Sequence, residues 1–377
     1  MEYRQIGNTE LRVSEIGFGC GGNAGLMVRG SPAEQRHVVE RAVELGINYF
    51  DNAPDYGNGV AEENLGRILK ELKLRPVITS KVEVRQANLG DVAGHVVRST
   101  EESLERLGVD YVDILQIHNG PAPSPPPLEG RSYTQLWIED YLRPGGALEG
   151  LQRVLRDGKA WYLGFICRGN DAYQVRQLLD INVFHMINVP YTLLNPTAGM
   201  ARPRGLEVDR DFGDVISYAY EHGVGTAIYS PLAGRFLTNH IIAGGERHPL
   251  AGTRDTTSEA YRRHLEMARA LRFLVCEGQQ TLAQAAIRFI LMHAGVTVVL
   301  GGFSALEHLE EMVAVSGTGP LEPELMARVE MVWRANFGFA GPPPASRRGL
   351  MPTETDNAMA LEAQAQGLQS LPEQDTV

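Results

Sequence analysis

Apolar and polar positions along the chain alternate between two rhythms. Short runs with few polar residues are separated by longer stretches with the three-to-four spacing of amphipathic helices. The short runs are residues 16–19, 49–51, 77–81, 114–118, 161–165, 185–189, 225–229 and 296–300. None alternates cleanly between apolar and polar, which predicts strands covered on both faces. The stretches between them predict helices over 31–45, 91–107, 148–155, 172–179, 211–221, 284–293 and 304–315. The first opens on Ser31-Pro32-Ala33-Glu34, a capping box with proline at the first helical position, and stops at Gly46. At the N-terminus, 3–6 and 11–14 flank Gly7 and Asn8 and read as a hairpin.

Eight strands, each followed by helical sequence, predict an α/β fold, a (β/α)8 TIM barrel entered through an N-terminal β-hairpin. An open doubly wound sheet is the alternative. Two stretches exceed the simple repeat: 119–146, with Pro121, Pro123, Pro125, Pro126 and Pro127, and 235–277, with a polar loop and an extra helix. Both follow strand ends and read as extended active-site loops. The barrel is expected over 1–340. Residues 341–377, rich in Pro, Ala and Gln, are expected to form a flexible C-terminal tail.

Composition narrows the class. The chain has 377 residues, 43% hydrophobic and 21% charged, which is a globular balance with no need of disulfides or metals. Its formal net charge of −11 argues against a nucleic-acid or anionic-membrane binder, since both need a basic footprint. Cys20, Cys167 and Cys276 are too few and too scattered for a zinc site or disulfide framework. The N-terminus is polar and no apolar run is long enough to span a bilayer, so the expected location is cytoplasmic. Nothing in the pattern specifies an oligomeric state.

Gly17-Phe18-Gly19-Cys20-Gly21-Gly22 has the G-x-G-x-x-G spacing of a dinucleotide fingerprint. The next helix signal, Ser31, lies well past the motif, whereas the fingerprint needs a helix opening inside the glycines. The expected role is close backbone approach to a ligand or another strand.

The segment 46–57 carries more chemistry. Asp51 ends a strand and Tyr56 follows in the loop; Lys81 ends the next strand and His118 the one after. Each alone reads as a cap, a surface aromatic or a paired charge. Together they lie at the same ends of three consecutive strands, the active face of a barrel. A tyrosine hydroxyl, with a pKa of about 10, holds its proton too tightly for exchange near neutrality. A lysine cation beside it favours tyrosinate, an aspartate holds the lysine, and a histidine orients a carbonyl or helps move the proton. Hydride transfer would need a cofactor, because no side chain donates hydride. Two readings of other classes stand beside this one. One is a nicotinamide-binding regulatory or sensor subunit on the same barrel. The other is a metal-dependent hydrolase using His118, His185 and Asp51, which the adjacent Lys81 opposes.

The chain resembles the aldo-keto reductases. The resemblance is carried by residues 8–19 and 48–57, Glu63-Asn64-Leu65-Gly66, Thr79-Ser80-Lys81, 103–113 and Tyr229-Ser230-Pro231-Leu232-Ala233-Gly234. It implies a barrel that binds extended NAD(P)H, with Tyr56 as general acid/base and Asp51, Lys81 and His118 completing a tetrad. The implied substrate is a small molecule: an aldehyde, a ketone or a sugar lactol. Implied cofactor contacts are Gly21, Gly22, Asn188, Tyr229, Ser230, Leu232, Gly234, Ser304 and Glu311. Four positions depart from the usual pattern: Arg168 where the family often has Ser-Asn, Gly302 for a lysine, His308 for an arginine, and Met312 for an asparagine. A neutral histidine is a poor substitute for a permanent cation at a 2′-phosphate. NAD, or dual use of NAD and NADP, is therefore favoured over strict NADP. The loop after the last strand is similar to that of the family's sugar dehydrogenases of the L-galactose dehydrogenase type. Tyr133 and Trp137 either wall the pocket or pack their loop onto the barrel.

Overall fold

The apolar runs become the staves of a closed barrel. A computed structural model describes residues 1–126, 134–168, 172–252 and 255–343. Its barrel strands are β1 (Ile16–Gly19), β2 (Tyr49–Asp51), β3 (Val77–Val82), β4 (Val112–Ile117), β5 (Ala160–Ile166), β6 (Met186–Pro190), β7 (Gly225–Tyr229) and β8 (Val298–Gly302). All neighbours are parallel and β8 pairs back onto β1, so the open-sheet alternative is wrong.

Each strand has one face inside the barrel and one beneath the helices, which is why its sequence lacks polar alternation. Outward-facing Phe50, Ile78, Leu115, Leu163, Ile187 and Val299 join the main core. The inner face is built in layers. Tyr49, Ile114, Met186 and Val298 form a lower apolar layer, closed from below by Ile6 and Val13 of the hairpin. The hairpin pairs Tyr3–Gln5 with Arg12–Ser14 and is fastened by Asn8 N–H donating to the Gly223 carbonyl at 2.8 Å. Two residues further along the strands the inner positions turn polar: Asp51, Lys81, Gln116 and Asn188, all buried. The polar layer therefore faces the C-terminal mouth.

The helices are α1 (Pro32–Glu44), α2 (Val60–Leu72), α3 (Val92–Leu107), α4 (Ala147–Arg156), α5 (Ala172–Leu179), α6 (Val215–Glu221), α7 (Leu282–Leu291) and α8 (Leu306–Val313). The expected capping box forms: Glu34 N–H donates to Ser31 Oγ at 3.3 Å and Ser31 N–H to Glu34 Oε2 at 2.9 Å. Helix α2 was not anticipated. Its N-cap, Gly59, makes no side-chain cap, and Gly66 interrupts its pattern. The structure explains Gly66, because a Cβ there would lie 2.4 Å from the Leu107 carbonyl oxygen. Gly17 is needed for a similar reason, with a Cβ falling 2.7 Å from Val298. Thus the glycine motif serves strand packing at its start rather than a dinucleotide fingerprint.

Other boundaries moved for local reasons. Helix α6 starts at Val215, not 211, because Asp214 has φ 55°. Helix α7 starts at Leu282 because Thr281 caps it. Strand β8 runs two residues later than expected, so Gly301 and Gly302 belong to the strand and not to the loop beyond it. In the first long loop, Gly120–Ala122 pairs with Gln135–Trp137, and Ile138–Leu142 is a short helix. Trp137 packs against the core, while Tyr133 lies outside the described residues. The second long loop holds two helices, Asn239–Ile242 and Glu259–Ala270. A further unanticipated helix, Pro323–Arg334, buries Trp333, whose Nε1–H donates to the Leu193 carbonyl at 2.8 Å. The expected tail falls almost wholly outside the described residues, but its first part is held: Arg263 donates to the carbonyls of Gly341 and Pro342. Among the described residues no helix is long and apolar enough to cross a membrane.

Candidate active site

Asp51 closes β2, and the chain then turns sharply, with Tyr56 N–H donating to the Ala53 carbonyl at 3.1 Å. This turn swings the Tyr56 ring back over the barrel mouth. Lys81 lies one residue before the end of β3 and projects into the same space. Its Nζ donates to Asp51 Oδ1 at 2.5 Å, the Asn52 carbonyl at 2.6 Å and the Tyr56 hydroxyl at 3.1 Å. All three donor positions of the ammonium are thus used. Lys81 is 1% and Asp51 2% exposed, so their mutual attraction is little screened by solvent. Asp51 Oδ2 accepts from Asn188 Nδ2 at 3.0 Å, and Asn188 Oδ1 accepts from Gln116 Nε2 at 2.8 Å.

His118 follows β4, and its ring centroid lies 5.9 Å from that of Tyr56. Behind it is a charged cluster that sequence reasoning missed. His118 Nδ1 is 3.0 Å from Asp55 Oδ2, and Arg85 donates to Asp55 Oδ1 at 3.0 Å. Glu83 sits beside them, with Arg85 at 3.5 Å and Arg168 at 3.8 Å. Burial pushes the His118 ring down, and the Arg168 and Lys81 charges add to this against Asp55, to a pKa of about 3. Burial and the neighbouring Asp55 charge push Glu83 well above the usual carboxylate range. Burial works to raise Asp55 too, but hydrogen bonds from Glu83 and His118 and the Arg85 charge outweigh it, and its net shift is downward. The only sequence signal was spacing: Glu83 and Arg85 continue inward-facing alternation from Lys81.

Ligand atoms of Asp55, Glu83 and His118 all lie within 4.8 Å of one another, a separation compatible with a metal ion. Arg85, Arg168 and Lys81 already supply positive charge there and oppose a further cation. The ligand set considered from sequence, His118, His185 and Asp51, does not assemble. His185 precedes β6, at the opposite end of the barrel, where its Nδ1 accepts from Leu163 N–H at 3.3 Å.

Above these residues opens a cavity of about 900 Å³, near the upper end for small-molecule sites. Asp51, Tyr56, Lys81, His118 and Asn188 form its floor, with Arg168 and Tyr229 beside them. Gly21, Ser230, Leu232 and Gly234 line its flank, and Gly302, His308, Glu311 and Met312 its far end. Two expected residues do not reach the lining. Gly22 lies outside it, and Ser304 is buried, its Oγ donating to the Ala24 carbonyl and meeting Arg235. Asn188 lies within β6, and both its amide atoms already have protein partners.

The flank is strained. Ser230, Ala233 and Arg235 have φ of 51°, 47° and 75°, a region that non-glycine residues enter at an energetic cost. Arg235 and Arg247 line the far end, and neither was anticipated from sequence. Arg247 Nε and Nη1 are buried and have no hydrogen-bond partner among the described residues. Buried guanidinium donors without an acceptor call for an anion. Burial lowers the Arg235 pKa to about 10, with Arg247 adding its charge. Burial and then Arg235 also lower His308. The far end thus fits a diphosphate-bearing ligand through arginines of the long loop, despite the substitutions at 302 and 308.

Comparison with known proteins agrees with this geometry. A family model described as "Aldo/keto reductase family" matches residues 15–334. The chain is 29% identical to L-galactose dehydrogenase of Arabidopsis thaliana over 83% of its length and 88% of the relative. It is 28% identical to a putative voltage-gated potassium channel subunit beta of Schizosaccharomyces pombe, over 88% and 92% of the two chains. It is 27% identical to L-glyceraldehyde 3-phosphate reductase of Escherichia coli K12, again over 88% and 92%. The holo form of an aldo-keto reductase from Bacillus halodurans superposes with a TM-score of 0.65 at 22% identity, covering 89% of this chain and 97% of that one, which bears on the fold alone. The chain belongs to the aldo/keto reductase family and is an oxidoreductase of that family.

Proposed function

We propose that this enzyme interconverts a carbonyl and an alcohol with Tyr56 as general acid/base. The observation that carries the reading is the Lys81 ammonium, which bridges Asp51 and the Tyr56 hydroxyl at the floor of the cavity. An ammonium 3.1 Å from the phenol favours the ionised form and eases proton exchange. Asp51 keeps Lys81 in place, and Asn188 with Gln116 keeps Asp51 in place. When bound, nicotinamide supplies or accepts the hydride. Tyr56 gives its proton to the substrate oxygen in reduction and takes one from the hydroxyl in oxidation. Buried surroundings keep water from competing for that proton.

Tyr229, Ser230, Leu232 and Gly234 would hold the cofactor's length, with Arg168 beside its nicotinamide end. Arg235 and Arg247 would take its phosphates, with His308, Glu311 and Met312 around the adenosine. His308, held neutral, offers no fixed charge for a 2′-phosphate, so NAD or dual use remains the reading. The substrate side is walled by Thr192, Asn195, Asp209 and Arg210, a polar set suited to a sugar lactol or small hydroxylated aldehyde. Two relatives are named for sugar-like substrates, which supports this class.

The direct test is turnover of L-galactose with NAD+ and of glyceraldehyde with NADH or NADPH. Turnover of either supports the reading. Relatives named as potassium channel subunits are compatible with a second reading, a nicotinamide-binding regulatory subunit. Tight cofactor binding with no turnover of either substrate would favour that alternative.

A further inference from the structure

Every hydrogen-bonding arm of Asp55 is committed, and one of them is committed to His118. Oδ1 takes Arg85 at 3.0 Å and Oδ2 faces His118 Nδ1 at 3.0 Å. Glu83, buried within 4.8 Å of the same groups, is pushed well above the usual carboxylate range by burial and the Asp55 charge, while Asp55 is shifted down, so Asp55 is the member of this acidic pair that stays a carboxylate. Asp55 is therefore an acceptor toward both Arg85 and His118. The groups around His118 are Asp55 and Tyr56 from the loop after β2, Lys81, Glu83 and Arg85 from β3 and its extension, and Arg168 from the loop after β5. Burial, with the Arg168 and Lys81 charges adding to it, keeps the ring neutral, in line with its lowered pKa of about 3. A neutral imidazole carries one N–H. That N–H is claimed by Asp55, which leaves a lone pair on Nε2. Nε2 has no hydrogen bond to any described residue, and His118 lines the cavity.

We propose that Asp55 is a positioning residue that locks His118 with Nε2 as an acceptor facing the substrate, so that the site selects carbonyls and alcohols bearing a hydroxyl next to the reacting carbon. The inference rests on the oxidoreductase reading above and sharpens its substrate class. A carbonyl oxygen has only lone pairs and is repelled by an Nε2 lone pair. It must take its donor from Tyr56. An adjacent hydroxyl has a hydrogen to give, and Nε2 is placed to receive it. A substrate without that hydroxyl leaves Nε2 desolvated and unpaired, which lowers transition-state binding.

Asp55→Asn inverts this polarity. Arg85 requires an oxygen, so the asparagine carbonyl faces Arg85 and its NH2 group faces His118 Nδ1. His118 then accepts at Nδ1 and carries its proton on Nε2. The test has two readouts on the full-length protein with nicotinamide cofactor bound. The first is the ring-nitrogen NMR spectrum of 15N-histidine-labelled protein, with the His118 signals assigned by their loss in His118→Gln. Wild type is expected to show Nδ1 protonated and Nε2 unprotonated, and Asp55→Asn the reverse. A wild-type spectrum with the proton on Nε2 overturns the proposal. The second is kcat/KM for glyceraldehyde relative to propanal. Wild type is expected to favour glyceraldehyde by about tenfold or more, and Asp55→Asn to lose most of that preference. An unchanged ratio in a variant whose spectrum shows the inverted ring overturns it as well. Asp55→Ala, which removes the acceptor outright, serves if the asparagine variant does not fold. The spectrum needs no turnover. A protein that binds nicotinamide but reduces neither aldehyde counts against the oxidoreductase reading, while the tautomer assignment stands or falls on the spectrum.

Discussion

Asn188 Nδ2 donates to Asp51 Oδ2 at 3.0 Å, tying β6 to β2 across the barrel mouth. Lys81 takes the other oxygen, so each side of the buried carboxylate is held from a different strand. This arrangement makes the floor of the cavity stiff and also makes it sensitive to removal of one partner.

Lys81→Met is expected to lower the free energy of unfolding by about 3–5 kcal/mol, because it leaves a buried carboxylate without its cation. Asp51→Asn in the same chain should recover part of that loss. Urea denaturation of the single and double variants measures it. A double variant no more stable than Lys81→Met would show that the buried charge is not the source.

Asn188→Leu removes the donor to Asp51 and the acceptor for Gln116 Nε2 together. An expected loss of about 1–3 kcal/mol follows from leaving such buried groups unpaired. Turnover should fall with it, since Asp51 positions Lys81. Thermal unfolding and steady-state rates check the two effects separately.

At the far end of the cavity, Arg247→Met is expected to weaken cofactor binding by about ten- to a hundredfold, the loss of charge-assisted hydrogen bonds to phosphate. His308→Arg should strengthen NADPH binding more than NADH binding. Quenching of intrinsic fluorescence by each cofactor measures both. A wild type that strongly prefers NADPH, unaffected by His308→Arg, would contradict the reading of the adenosine end.

Stability should also depend on pH through His118. Its folded-state pKa is about 3, below the ordinary 6.5, so between these values the unfolded chain binds a proton that the folded chain refuses. The His118 contribution is therefore present above pH 6.5 and lost as pH falls toward 3. Glu83 works in the other sense: its raised pKa stabilises the fold at acidic pH and is lost as pH rises. His118→Gln should flatten the decline between these two His118 values, read as denaturation midpoints across pH.

The barrel was legible because its strands are short, uniformly apolar and followed by capped helices. Ser31 and Asp91 marked helix starts that the structure reproduces. Helix α2 was not legible, since its start has no side-chain cap and Gly66 reads as a breaker until Leu107 is seen against it. At the site, Asp51, Tyr56, Lys81 and His118 were readable from their places at strand ends. Asp55 and Glu83 were not, because an acidic residue in a loop ordinarily faces solvent and only the turn at 53–56 aims Asp55 inward. Arg247 was hidden for a different reason. It sits in a long loop whose path over the cavity no local pattern specifies.

The proposed role of Tyr56 is to move the proton. It is tested most directly by Tyr56→Phe, which removes one oxygen and keeps the ring against His118. With whichever substrate the wild type turns over, kcat is expected to fall about 100- to 10,000-fold while the Kd for the cofactor is unchanged. A variant that binds cofactor normally and turns over at near wild-type rate would contradict the account.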